Sequence, residues 1–151
     1  MPYPYSYDDE IREYRPPKLN TDRKIWKLIL FSILTLGIYS IVFFMPLSFE
    51  LDKVAPKRDR TKTLNYAIAF VLSLFTGTIT LLFWHHQIAS RIEEALSARG
   101  ITYEFGTGDF WGWYFFGSFI FVGPFIYLHK LCKAMNLLCA HYNENLTSAK
   151  K

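Results

Sequence analysis

Three long stretches of this sequence lack charge altogether. Leu28 to Phe49, Leu64 to Trp84 and Phe110 to Leu128 run for 22, 21 and 19 residues without Asp, Glu, Lys or Arg. That absence removes the usual marker of a proton relay or ion path through a membrane. Cysteine is scarce as well, with Cys132 and Cys139 the only two. Seven residues of helix would set them about 10 Å apart, too far for a disulfide, so no oxidising compartment is implied. The head "MPYPYSYDDEIREYRPPKLN" has no basic segment leading into an apolar one, so no signal peptide is expected and the first apolar run should stay as an anchor. Paired carboxylates, an activated nucleophile and a metal cluster with usable spacing are also missing, so the protein is not expected to be an enzyme or to carry a cofactor. The "GTG" at Gly106 to Gly108 lacks the spacing and context of a phosphate loop.

What is present is apolar and aromatic. The 151 residues are 51% hydrophobic and 19% aromatic, and the mean hydropathy is only +0.10 because polar connectors dilute the three runs. As helices the runs would be about 28 to 33 Å long, against a hydrocarbon core of about 30 Å. A soluble chain of this length could hardly cover three all-round apolar helices. The expectation is an all-α membrane protein, multi-pass in the cytoplasmic membrane. Its membrane domain covers residues 21–144, with segments at about 26–49, 64–86 and 110–130. A flexible Tyr/Pro-rich tail (1–20) precedes it and a short tail (145–151) follows. Asn20 or Thr21 is expected to cap a helix entering at Asp22.

The runs align on one glycine each, Gly37, Gly77 and Gly123, spaced by 40 and then 46 residues. Each unit reads as apolar helix, Gly break or kink, a second apolar stretch, then a helix becoming amphipathic. Thirteen residues after each glycine stands a polar residue: Glu50, Ser90 and Asn136. In the extensions Ile88, Ile92 and Leu96 share one helical face, as do Leu131, Met135 and Leu138, while Arg91, Glu94 and Arg99 lie elsewhere. Gly100 suits a helix C-terminus, and "ITYEF" alternates like a short strand before "GTGD" turns the chain. Thr107 or Asp109 then caps the third run.

"ILTLGIYSI", "RGITYEFGTGDFW" and "GSFIFVGPFIYLHKLCKAMNLLCAHYN" together resemble the bacterial integral-membrane family catalogued as domain of unknown function 4234. The resemblance covers about Leu19 to Asn143, and the second unit departs from it with "FTGTI" in place of Thr-Leu-Gly-Ile. It implies a small polytopic bacterial membrane protein of repeated Gly-centred helical units, and no activity.

Two architectures fit the glycines. In one, each run spans the bilayer and the glycine only bends it or admits a neighbouring helix. In the other, each glycine ends a helix and the chain turns back, giving three helical wedges inserted from one side. Val122-Gly123-Pro124 favours a break, since Gly suits the helix end and Pro the next start. Thr35 and Thr76 are placed to satisfy backbone groups freed there, and Tyr39 follows the first break. Length favours kinked spans. Charge does not arbitrate, because three crossings would place 8 Lys and Arg on one side and 9 on the other.

Weak metal candidates are His85, His86, His129 and Cys132, the last two sharing a face with Asn136 and Cys139; packing and interfacial anchoring are the ordinary roles of such residues. The segment "KVAPKRDRTK" offers Lys53, Lys57, Arg58, Arg60 and Lys62 to anionic headgroups, with nucleic acid disfavoured as a partner. The expected function is a non-catalytic, membrane-embedded interaction or organising module, partnered by the lipid bilayer and by another copy or another membrane protein. Self-association would run through Gly37, Gly77, Gly112, Gly117 and Gly123. The alternative is a subunit of a small transporter or channel with broken helices.

Overall fold

The structure, a computed structural model, describes residues 17–55 and 62–148. Among these, six α-helices follow in order: α1 (Ile25–Leu34), α2 (Ile38–Val54), α3 (Tyr66–Thr76), α4 (Ile79–Ala98), α5 (Thr107–Asp109) and α6 (Gly123–Ser148). The short α5 continues as a π-helix (Phe110–Phe115) and a 3-10 helix (Phe116–Ile120). No strand forms among the described residues. "ITYEF" is therefore corrected to an irregular connector: its Tyr103 N–H bonds to Ile101 O at 2.9 Å, and no neighbouring strand offers it a ladder. The first helix also starts later than expected. Asn20 accepts from the Asp22 N–H at 3.0 Å in a local turn, and α1 begins only at Ile25, without a side-chain cap.

Each apolar run is broken, and at each break the chain reverses. At the end of α1, Leu36 and Gly37 both take positive φ, 50° and 91°. The Gly37 N–H then bonds back to Ser32 O at 2.7 Å, the six-to-one bond that ends a helix in the left-handed conformation. The same device ends α3, where Gly77 and Thr78 have φ of 59° and 73° and the Thr78 N–H reaches Ser73 O at 3.1 Å. The third break is displaced from its expected place. Positive φ falls on Phe121, at 61°, whereas Gly123 is the first residue of α6. Gly123 is needed for a different reason: a Cβ there would collide with Gly117 and with the Trp113 carbonyl oxygen of the opposite arm.

Cross-arm bonds establish the reversal. Trp84 of α4 donates from its indole to Leu64 O, at 2.6 Å and 20 residues away, a separation of about 30 Å along an unbroken helix. Arg23 before α1 pairs with Glu50 of α2, and Asp109 pairs with Lys130 of α6. The described residues thus form three helical hairpins: α1 with α2, α3 with α4, and the α5 to 3-10 arm with α6. No helix among them is long and apolar enough to cross a membrane. Kinked spans are corrected on both counts, since the breaks reverse the chain and leave first arms of 10 and 11 residues in α1 and α3.

The core lies away from the turns, where the amphipathic extensions pack on one another. Leu47, Leu51 and Val54 of α2 meet Ile88 and Ile92 of α4 and Leu131, Met135 and Leu138 of α6, all fully buried. At roughly 1.5 to 3 kcal/mol for each large aliphatic side chain, this region supplies most of the folding drive. Gly100, at φ 65°, ends α4 with the Ile101 N–H on Leu96 O at 3.0 Å. Arg91, off the apolar face as its spacing predicts, is nonetheless buried and bridges to Asp52 of α2 at 2.7 Å.

Candidate functional site

The hairpins present two contrasting ends. Their turns are apolar and exposed, with Ile33, Leu34, Leu36 and Ile38 on the first, Leu74, Phe75 and Ile79 on the second, and Phe119 to Val122 on the third. Leu36 is 95% exposed, Phe75 84% and Phe121 83%. Backbone groups at the first two turns are nonetheless bonded. Thr35 Oγ1 donates to Phe31 O at 2.7 Å and accepts from the Tyr39 N–H at 2.9 Å, and Ser40 Oγ donates to Gly37 O at 2.6 Å. Thr76 Oγ1 lies 3.0 Å from Leu72 O and 2.7 Å from Thr80 Oγ1.

The open ends carry the polar chemistry. Arg23 is buried; it donates to Glu50, to Asn20 O at 2.6 Å, and from its N–H to Asn136 Oδ1 at 3.1 Å. Asn136 returns a bond to Arg23 O at 3.1 Å, so one arginine ties the first hairpin to the third. Asp52 accepts from the Thr63 N–H at 2.8 Å, from Thr63 Oγ1 at 2.7 Å and from Arg91 at 2.7 Å. Burial alone would raise its pKa, but the Thr63 and Arg91 bonds together hold it below the usual carboxylate value. Arg99 closes on Val54 O at 2.7 Å, and Asn143 exchanges two 2.9 Å bonds with the Leu19 backbone.

At the junction of the three hairpins, His85 sits in an aromatic cage. Its ring centroid lies 4.6 Å from Tyr114, 4.9 Å from Trp84, 5.5 Å from Phe44 and 5.7 Å from Tyr127. Its Nδ1 is buried without a hydrogen-bond partner among the described residues, and burial pushes its pKa down to about 3. His86 instead packs edge-on against Phe110 and Trp111, while His129 and Cys132 line a separate cavity between α1 and α6. Among the described residues no group of three or more His, Cys, Asp and Glu is placed to hold a metal. Burial pushes the Cys132 thiol up to about 11, which leaves little thiolate for coordination or acylation. Lys53 and Lys62 are exposed near the open end of the second hairpin, and Lys57, Arg58 and Arg60 lie outside the described residues.

The glycines divide into two groups. Gly37, Gly77 and Gly112 have open space where a Cβ would stand, whereas Gly117 and Gly123 are buried against each other. Those two close the third hairpin upon itself, so the self-association face expected there is already occupied within the chain. Sequence reasoning missed Arg23, Asp52, Thr63, Arg91 and Asn143, which hold the open ends. One signal was available: Glu50 and Asn136, at matching positions after their glycines, converge on Arg23.

The geometry defines a class, an all-helical protein whose hairpins join apolar turns to a polar, mutually bonded base. Residues 23–94, which hold the first hairpin and most of the second, match the family model described as a domain of unknown function (DUF4234). The match is shorter than the resemblance read from sequence and stops before the third hairpin. No curated protein and no solved structure matches the chain.

Proposed function

We propose that the protein embeds in one face of a lipid bilayer as three helical wedges and acts there without catalysis, as an interaction or organising module. The observation that carries this reading is the segregation of the hairpins, with every turn apolar and exposed and every open end polar and bonded. An exposed apolar surface of that kind marks a contact with lipid or protein. Two turn residues sharpen the choice. Leu36 and Phe121 occupy the left-handed region, which costs a non-glycine residue about 1–2 kcal/mol. A turn facing water gains nothing from Leu or Phe there; a turn facing hydrocarbon does.

Reach agrees with a wedge. Arms of 10 and 11 residues extend about 15 to 16 Å, half of a hydrocarbon core of about 30 Å. The hydroxyl bonds of Thr35, Ser40 and Thr76 meet the requirement that backbone polar groups be satisfied in lipid. The even division of basic residues also follows, because one-sided insertion puts every polar segment in the same compartment. Lys53 and Lys62 then stand at the headgroup level of that side.

Single cysteines replacing Lys53, Gly108 and Glu144 in a Cys132→Ala/Cys139→Ala background test the reading in sealed vesicles. All three are expected to react with an impermeant reagent from one side only. Alternating protection would restore spans, and failure to float with vesicles would remove the membrane altogether.

A further inference from the structure

We propose that the cavity between the start of α1 and the middle of α6 binds a phosphate group carried by an anionic ligand. The cavity encloses about 290 Å³, and its walls include Arg23, Lys24, Trp26, His129, Lys133 and Asn136. Three of these are permanent cations, a fourth is an imidazole, and among the described residues no carboxylate lines the space.

The arrangement is prepared on one side and adaptable on the other. Arg23 is fixed by Glu50, Asn20 O and Asn136, so its position requires no reorganisation. Its charge is matched from outside the cavity, by Glu50. Among the described residues Lys24 pairs with the exposed Asp22, at 3.4 Å, a surface pair of the kind that contributes little. Lys133 rests 5.1 Å from the Tyr103 ring, a contact that leaves its ammonium donors available. His129 is exposed. Lys24 and Lys133 thus add positive potential that no described residue lining the cavity offsets.

The backbone adds to this. Lys24 stands at the N-cap of α1, Lys27 lies in its first turn, and that turn has neither an acidic residue nor a side-chain cap. Both charges have the wrong sign for the positive end of a helix, and an anion in the adjacent cavity reverses the imbalance. Charge-assisted bonds from lysine and a neutral N–H from imidazole suit phosphate oxygens, and the size suits a small group. Trp26 at the rim matches the boundary between water and lipid. The group is therefore a phosphomonoester or phosphodiester, from a lipid headgroup or from a soluble anion. The lipid source rests on the embedding proposed above; the soluble source does not.

The test uses the full chain in uncharged detergent micelles, titrated with inorganic phosphate in one arm and with short-chain phosphatidic acid in the other. The His129 ring signals are followed by NMR. Saturable shifts in either arm are expected, with affinity falling at least tenfold in Lys24→Ala and Lys133→Ala and unchanged in Lys18→Ala, an exposed lysine outside the cavity. Saturation by the lipid alone assigns a headgroup, and saturation by phosphate alone a soluble ligand. No saturation in either arm, or equal weakening by Lys18→Ala, overturns the site. Flotation with uncharged phosphatidylcholine vesicles, run on the same variants, reports embedding separately.

Discussion

The indole of Trp84 donates to the carbonyl oxygen of Leu64 at 2.6 Å, and this bond pins the second hairpin at its base. Trp84 is buried and stacks edge-on with Tyr66 at 4.7 Å, so the same side chain closes the arms by packing and by a directed bond. Trp84→Phe keeps most of the packing and strands the Leu64 carbonyl. A loss of about 1–3 kcal/mol is expected in denaturant unfolding. Trp26→Phe, at an exposed ring, should change little; equal losses would mean the bond is idle.

Buried Arg23 and half-buried Glu50 make a pair joining two hairpins through Asn136. Removing one partner leaves the other charge unpaired, so Arg23→Ala should cost about 3–5 kcal/mol. The joint replacement Arg23→Met/Glu50→Leu should recover much of that loss in the same assay. A double variant worse than the single one would show that the pair itself, rather than the orphaned charge, dominates.

Gly123 and Gly77 separate two uses of glycine. Gly123→Ala drives a methyl into Gly117 and the Trp113 carbonyl, a rigid contact expected to cost about 1–3 kcal/mol and to loosen the third hairpin. Gly77→Ala meets open space and bears only the left-handed penalty, about 1–2 kcal/mol. Amide exchange should rise along residues 110–122 for the first variant only. If Gly77→Ala opens that arm as well, the Gly117–Gly123 contact is not what closes it.

His85 makes stability depend on pH. An unfolded histidine titrates near pH 6.5, while the caged one stays neutral down to about 3. Below about pH 6.5 the unfolded chain takes up a proton that the folded chain refuses, so stability is full above that pH and falls with acidification. The slope from this group is about 1.4 kcal/mol per pH unit. His85→Phe should flatten unfolding midpoints between about pH 7 and 5. An unchanged slope would place the acid sensitivity elsewhere.

Much of the helical pattern was legible because it rests on local rules. Gly37 and Gly77 end helices as their freedom at positive φ allows, and Ile88, Ile92, Leu131 and Met135 are buried as their spacing predicts. Reversal was not legible, because a bend and a turn share the same residues, and run length pointed to spans. Arg91 illustrates a second limit. Helical spacing put it off the apolar face, but only the tertiary arrangement brings Asp52 and Thr63 against it. Phe121 is a third case: positive φ falls on an aromatic residue, contrary to local preference, because the glycine two positions on is taken up by its contact with Gly117.

From the proposed side the arms of α1 and α3 reach about to the bilayer midplane and not into the far leaflet's headgroups. A body with that reach enlarges one leaflet and leaves the other unchanged, so the two leaflets no longer match in area. Such a mismatch is relieved where the membrane already bows toward the wedges. The protein should therefore partition more strongly into small vesicles than into large ones of the same lipid, and equal partition would mean that its insertion displaces no lipid area.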